Sequence, residues 1–303
     1  MNDFIQPIFE DNNDIFFIKG KYGGKVPFSN CLLIADHLID TGISALYLKR
    51  LKRKFTIRKV LFSHWHDDHI RDNKILADIP FYCHPKCKPI IEDIDKLLDL
   101  YAIRGTPVET KFKEYLSDVI DVYNTKIEGL FSPSDIFQIG GHEMHIISTP
   151  GHSVGHCTFH IPDLKFAFIG DIDLSRFGPW YGGTDSDITE FIKSIEKIRK
   201  MDLEVVATGH RGIIRGKELI QKQLTNYKEI FNAREEKIIS FLTKERPITP
   251  KDMLEKNIIY KDYKFLKPFL LAMEKTMIKK HLQKMETEGI ITQDNNGYIL
   301  SQQ

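Results

Sequence analysis

The chain of 303 residues is poor in several things at once. Four cysteines are too few for a disulfide scaffold in a polypeptide of this length, so stability has to come from packing and the cytoplasm is the default compartment. No apolar run approaches the ~20 residues that a membrane-spanning helix needs, which excludes a helical membrane protein. The opening, MNDFIQPIFEDNND, has an early acid and no basic-then-apolar order, which argues against a secretory leader. Net charge is nearly absent, +1 from 43 basic and 42 acidic side chains, so bulk electrostatics select neither nucleic acid nor a membrane surface. Internal repeats and low-complexity tracts are missing as well. What is present is a hydrophobic share of 42%, ample for a core, and enough length for one large domain or a medium one with a small companion.

Short apolar runs at 15–19, 31–35, 38–42, 59–63, 80–84, 136–148, 157–161, 165–170 and 203–210 read as strands bounded by turn residues. Helical spacing appears at 43–54, 187–200 and 216–243. It also appears at Ile90, Ile91, Ile94, Leu97, Leu98 and Tyr101, and again over 108–124, which makes 86–130 a helical insertion. Strands alternating with helices around a central strand meander predict a layered α/β arrangement of two sheets covered by helices. The segment ERPITP (245–250) marks a boundary between a unit over 1–244 and a small one over 245–303. The second unit reads as a short helix (250–257), a long helix (about 269–288) and a hairpin turning at Asn296-Gly297, an order similar to a winged-helix module. Lys275, Lys279, Lys280 and Lys284 fall on the long helix, where they suit a nucleic-acid backbone. The intervening Glu274, Glu286 and Glu288 also suit an ordinary solvated helix, and such a module equally serves for packing or for joining a homodimer.

The densest chemistry lies in SHWHDDHI, residues 63–70. Crowded imidazoles and carboxylates repel or desolvate one another unless something binds them, so His64, His66, Asp68 and His69 read as metal ligands on a loop after a strand. His64 and His66 share a side if the chain stays extended, and the curl of the loop turns Asp68 and His69 toward a second ion. Later strand ends add His152 in TPGHSVGH, Asp171 in FIGDID and His210 in ATGH, each beside a glycine that lets backbone come close. One such histidine alone is more often structural; four segments in one chain point to a site. Asp67 reads as loop structure. Arg176, Trp180 and Tyr181 form either a pocket wall, with Arg176 holding an anionic group, or a loop packed inward, and Arg211, next to His210, is a similar candidate for touching substrate. Cys83-His84-x-x-Cys87 and Cys157 read as ordinary buried thiols.

In this order, Asp40 in LIDTG, then HWHDDH, His152, Asp171 and His210, the sequence resembles the metallo-β-lactamase-fold superfamily over roughly residues 15–240. The resemblance implies a four-layer αβ/βα sandwich with a dinuclear centre. It implies one divalent ion at His64, His66 and His152, a second at Asp68, His69 and His210, Asp171 bridging both, and Asp40 orienting ligands from outside the set. Class B1 β-lactamases have a cysteine where this chain has Asp171, flavodiiron proteins replace the second histidine with glutamate, and β-CASP nucleases insert a domain between the last two ligands. What remains resembles the glyoxalase II-like branch with a winged-helix tail. The activity implied is hydrolysis of a small ester, thioester or lactone by a metal-bridging hydroxide, with Asp68 or Asp171 relaying the proton. The alternatives are an endoribonuclease acting on single-stranded RNA and a mono-iron persulfide dioxygenase. Zinc is the expected metal, and iron or manganese suit the same ligands.

Overall fold

The computed structural model describes residues 4–263, 267–294 and 296–301; Met1–Asp3, the start of the segment read for a leader, fall outside them. Seven strands form one mixed sheet in chain order: β1 (Ile5–Phe9), β2 (Asn12–Ile18), β3 (Cys31–Ile34), β4 (His37–Ile39), β5 (Lys59–Leu61), β6 (Phe81–Cys83) and β7 (Gly129–Leu130). Six more form a second sheet, β8 (Ile136–Ile139), β9 (His142–Ser148), β10 (Cys157–Ile161), β11 (Phe166–Phe168), β12 (Val205–Ala207) and β13 (Ile213–Arg215), in the order β13-β12-β11-β10-β9-β8.

The alternation of side chains along each strand sorts them into three apolar layers. From β2, Ile15 and Phe17 enter the layer between the sheets, while Phe16 and Ile18 face the opposite way. From β11, Phe166 and Phe168 meet them in the middle, and Ala167 points outward. The outer face of the first sheet is covered by α1 (Ala45–Lys54) and by the insertion, and that of the second by α5 (Ile188–Arg199) and α6 (Lys217–Ile239). Strands buried on both faces are why these segments read as continuous apolar runs rather than alternating ones. Helix α5 starts where Asp187 accepts a hydrogen bond from the Glu190 amide at 2.8 Å, an N-cap that ends the preceding loop.

The insertion holds only short helices, α2 (Lys88–Ile91), α3 (Leu97–Leu100) and α4 (Glu109–Glu114), the last continuing as a π-type turn over Tyr115–Ile120. Beyond α6, the short helix expected over 250–257 is replaced by successive turns, whereas α7 (Lys267–Thr287), β14 (Ile291–Asp294) and β15 (Gly297–Leu300) form as read. Ile248 pairs with Tyr298 through two backbone bonds of 3.0 Å, which adds an edge to the hairpin. Helix α7 shares the apolar layer of α5 and α6 through Met277, Ile278, Leu282 and Met285. His281 on α7 is fully buried and accepts the Tyr181 hydroxyl at 2.7 Å. Lys280 donates to the Thr184 carbonyl and Lys284 to Glu235, so two of the four lysines are tied internally; Lys275 and Lys279 stay exposed.

Candidate metal centre

Parallel pairing decides where the site lies. Because β4 and β5 run parallel, the loops that follow them, with Asp40 and His64, leave the same edge of the first sheet. Likewise β11 and β12 run parallel and bring the Asp171 and His210 loops to one edge of the second. The two edges are joined by backbone bonds: Cys157 N–H to the Ser63 carbonyl at 2.9 Å and Asn30 N–H to the Gly209 carbonyl at 2.7 Å. All seven side chains read as ligands therefore meet in one cleft, six of them buried and His210 nearly so.

Within the first group, His64 Nε2, His66 Nδ1 and His152 Nε2 lie 2.9, 2.7 and 3.2 Å apart. Asp171 Oδ2 sits 3.3 Å from His152 Nε2 and 3.6 Å from His64 Nε2. Within the second, His210 Nε2 is 3.3 Å from Asp68 Oδ2 and 3.4 Å from His69 Nε2. Asp171 reaches this group as well, with Oδ1 3.0 Å from His69 and Oδ2 3.3 Å from His210.

Outer partners set which nitrogen is bare on four of the five imidazoles, all but His66. His152 Nδ1 donates to the Trp180 carbonyl at 2.9 Å, and His210 Nδ1 to the Gly24 carbonyl at 2.6 Å. His69 Nδ1 donates to Asp40 Oδ2 at 2.7 Å. Asp40 also takes the Ser63 hydroxyl at 2.7 Å and the Ser63 amide at 2.8 Å, and that hydroxyl faces His64 Nδ1 at 3.0 Å. One buried carboxylate thus orients a histidine in each group and leaves their Nε2 lone pairs inward.

Charge completes the picture. Burial, and then the neighbouring imidazoles, push His64 and His66 well below the ordinary histidine range, so both are neutral with free lone pairs. Burial opposes a charge on His69 and His210 too, but Asp171 and the other carboxylates win, raising His69 strongly and His210 to about 10. For Asp171 burial works against ionisation and is overcome by His210 and then His69, which hold it well below the usual carboxylate range. The second group therefore demands positive charge. Asp68 Oδ2 and Asp171 Oδ1 are buried without a well-aligned hydrogen bond, although imidazole nitrogens stand 3.3 and 3.0 Å away. Bare nitrogens converging on unsatisfied carboxylate oxygens fit divalent cations, and the His/Asp donor set does not discriminate zinc, iron and manganese.

Gly209 makes this packing feasible: a Cβ there would stand 2.5 Å from Asp171 Oδ1 and 2.8 Å from His69 Cε1. Above the two groups opens a cavity of about 510 Å³, within the usual range for small-ligand sites, lined at its floor by His66, Asp68, His152, Asp171 and His210.

Trp180 lines the cavity. Tyr181 does not; it is fully buried and bonds His281, because the loop turns it toward α6 and α7. Arg176 is exposed and outside the cavity lining. Arg211 turns away, donating to the Leu174 carbonyl at 2.6 Å and to Gln223 at 2.7 Å. Asp67 is more than loop: it lines the cavity and accepts the Tyr101 hydroxyl at 2.6 Å, and burial with repulsion from Asp68 raises it to about 6. The thiols of Cys83, Cys87 and Cys157 are buried, which pushes all three up, Cys83 and Cys157 to about 12.

Sequence reading missed His156. Its Nε2 accepts the Asp171 amide at 3.0 Å, and burial depresses it to about 3, so it stays neutral and fixes the Asp171 backbone. The His152-x-x-x-His156 spacing was the available signal. Asp185 was missed as well; it accepts the Trp65 indole at 2.9 Å and the Val154 amide at 3.0 Å, anchoring the floor.

The metallo-beta-lactamase superfamily model matches residues 24–210, well over half of the chain and spanning every residue of both groups. The chain belongs to the metallo-β-lactamase superfamily. Among relatives of this superfamily, a hydroxyacylglutathione hydrolase of Hyphomonas neptunium is 29% identical over 164 residues, 54% of this chain and 52% of that one. The chain thus spans about half the length of that relative. A beta-lactamase-like protein 2 homolog of Caenorhabditis elegans is 24% identical over 266 residues, 84% of this chain and 76% of that one. A beta-lactamase domain protein from Burkholderia ambifaria shares the fold at TM-score 0.74 and 17% identity, covering 97% of this chain and 94% of its own. A metallo-beta-lactamase family protein from Thermus thermophilus does so at 0.68 and 16%, covering 99% and 97%. The relatives agree with the glyoxalase II-like branch, and no described helix is long and apolar enough to cross a membrane.

Asp40→Ala carries a direct expectation. The chain should fold, since the site is loop-built, but metal affinity should fall about 10–100-fold because His69 and His64 lose their shared orienter. Competition with a chromophoric chelator measures this, and unchanged affinity would remove Asp40 from the ligand-orienting role.

Proposed function

We propose that the protein is a dinuclear metal-dependent hydrolase acting on a small ester, thioester or lactone, with zinc as the first choice of metal and iron or manganese as substitutes. The observation that carries this reading is the sharing of Asp171 between two buried ligand groups at the floor of one cavity. His64, His66 and His152 would hold one ion, Asp68, His69 and His210 the other, with Asp171 between them. Bound there, divalent cations supply Lewis acidity that polarises an acyl oxygen and acidifies water. The chain's own residues do the rest. Asp40, Ser63, Gly24 and Trp180 hold four of the imidazoles in one tautomer. Asp68, at the cavity floor, accepts the proton of the attacking water and passes it to the departing thiolate or alkoxide. His156 keeps Asp171 in register through its backbone amide.

The relative named hydroxyacylglutathione hydrolase favours a thioester. Two features weigh against cleavage of single-stranded RNA: the cavity is small and aromatic, and Lys280 and Lys284 are held in internal contacts. The complete second group weighs against a mono-iron dioxygenase. We place residues 245–303 as a winged-helix-like unit that completes the catalytic unit over 1–244, in a cytoplasmic protein.

Metal analysis of the purified protein, with thioester, lactone and single-stranded RNA assays in the presence and absence of chelator, tests the reading. Two ions per chain and chelator-sensitive thioester or lactone hydrolysis are expected. RNA cleavage without acyl hydrolysis, or one iron per chain with persulfide oxidation, would replace it.

A further inference from the structure

Above its polar floor the cavity is walled by aromatic rings from three separate parts of the chain. Tyr101 comes from the insertion, Trp180 from the loop after β11, and Tyr260 with Phe269 from the C-terminal unit. The rings brace one another: Phe269 stacks on Phe112 at 4.9 Å and meets Tyr101 edge-on at 5.6 Å, while Tyr101 and Trp180 lie 6.2 Å apart.

The polar handles of this wall are already engaged. The Tyr101 hydroxyl donates to Asp67, the Tyr260 oxygen takes the Trp180 indole N–H at 3.0 Å, and the Tyr227 hydroxyl donates to Asp173 at 2.8 Å. From these residues, what remains toward the cavity is ring face and edge; Tyr115 and Ser175 also line it. A thioester carried on glutathione or on a nucleotide-bearing thiol brings carboxylates or phosphates, which call for arginine or lysine donors. Among the described lining residues Lys25 is the one such cation. Of the arginines near the ligands in sequence, Arg71 is held by Asp72 and the Pro27 carbonyl, Arg176 is turned to solvent, and Arg211 is turned to Leu174 and Gln223.

We propose that this cavity seats an uncharged, bulky apolar acyl group, aromatic or branched, presented as an ester or thioester, and that the C-terminal unit is the wall that selects its size. The inference rests on the hydrolase reading for the reaction and on the cavity alone for the ligand. Hydrolysis of such a thioester adds one water across the C–S bond; the acyl carbon leaves as a carboxylic acid and the sulfur as a thiol. The wall is tied down from behind: Glu274 on α7 is fully buried and accepts the Ile259 amide at 3.1 Å and the Tyr263 hydroxyl, which fixes the segment carrying Tyr260.

The test compares acetyl, hexanoyl and naphthoyl thioesters of N-acetylcysteamine with S-lactoylglutathione, on the metal-loaded full chain. It also titrates the non-hydrolysable naphthylmethyl thioether of the same thiol by tryptophan fluorescence, with and without chelator. The chain has two tryptophans; Trp65 is fully buried and Trp180 lines the cavity, so the signal reports the wall. Naphthoyl kcat/KM is expected to exceed acetyl by about tenfold or more through apolar burial, and to exceed lactoylglutathione. The thioether should quench saturably, also without metal. Phe269→Ala, and Leu270→Ala as a milder change in the same wall, should shrink the naphthoyl-to-acetyl ratio by about fivefold or more. Acetyl or lactoylglutathione as the preferred substrate overturns the proposal and leaves the hydrolase reading standing. Saturable quenching without turnover of any thioester supports the seat and defeats the hydrolase reading. Absence of both turnover and quenching overturns both.

Discussion

Replacing Asp171 with asparagine should lower bound metal from the proposed two ions per chain to one or fewer and cut the proposed acyl hydrolysis by about a thousandfold, since several kcal/mol of charge stabilisation are at stake and each ~1.4 kcal/mol is a factor of ten. The side chain keeps its size and the backbone amide keeps its bond to His156, so the change is electrostatic rather than steric. Asp171 is the carboxylate within reach of both groups, 3.3 Å from His152 and 3.0 Å from His69. Without its charge the first group keeps only its three imidazoles, and the second loses the largest influence that raises His69 and His210. Elemental analysis after dialysis and steady-state rates at fixed metal measure the two effects. Circular dichroism and thermal unfolding in excess chelator separate them from misfolding. Wild-type metal content and wild-type turnover in this variant would remove Asp171 from the centre.

The second large effect is on stability and lies in α6. Arg234 is 5% exposed and donates to the Pro179 carbonyl at 2.5 Å, the Phe177 carbonyl at 2.7 Å and the Tyr181 oxygen at 3.1 Å. Its guanidinium also sits 5.0 Å from the Phe177 ring centre and 5.5 Å from that of Tyr181. Truncation to alanine leaves two carbonyls without donors and a void beneath the loop, for a loss of about 3 kcal/mol or more. In a chain of this size that is roughly a 5 °C fall in Tm. The loop matters beyond stability, because the Trp180 carbonyl orients His152 and the Trp180 ring walls the cavity. Weaker metal retention should therefore accompany the lower Tm. A Tm within a degree or two of wild type would show that the loop is held by other contacts.

Both expectations turn on residues of different legibility. Asp171 was readable because a carboxylate after a strand and a glycine, in series with HWHDDH, His152 and His210, leaves few chemical alternatives. Arg234 was not, since it sits within a long helix among lysines and glutamates, and burial of one arginine is invisible when the partner carbonyls lie more than fifty residues away. The same holds for Tyr181 and Trp180: two adjacent aromatics in a Gly/Pro-rich loop point to opposite sides, one into the core and one into the cavity. The turns over 250–257 replaced an expected helix because this segment is held by contacts to other elements. Ile248 pairs with the hairpin, and Ile259 is bonded to Glu274.

Local sequence alone determined most of the strands, the helices α1, α5, α6 and α7, the two-sheet layering, and the kind of atoms offered to a metal; the edge strands β1, β7 and β13 were not among the runs read from it. Hydrophobic period and strand-end chemistry are properties of a few neighbouring residues, so they survive without knowledge of the fold. Tertiary structure alone decided that two parallel strand pairs, one in each sheet, deliver their loops to a common edge. It decided which imidazole nitrogen faces inward, through Asp40, Gly24 and Trp180. It also decided that the far end of the chain returns to roof the cavity with Tyr260 and Phe269. Such contacts join residues 28 to nearly 190 positions apart, and the free energy that selects them belongs to the packed whole rather than to any segment.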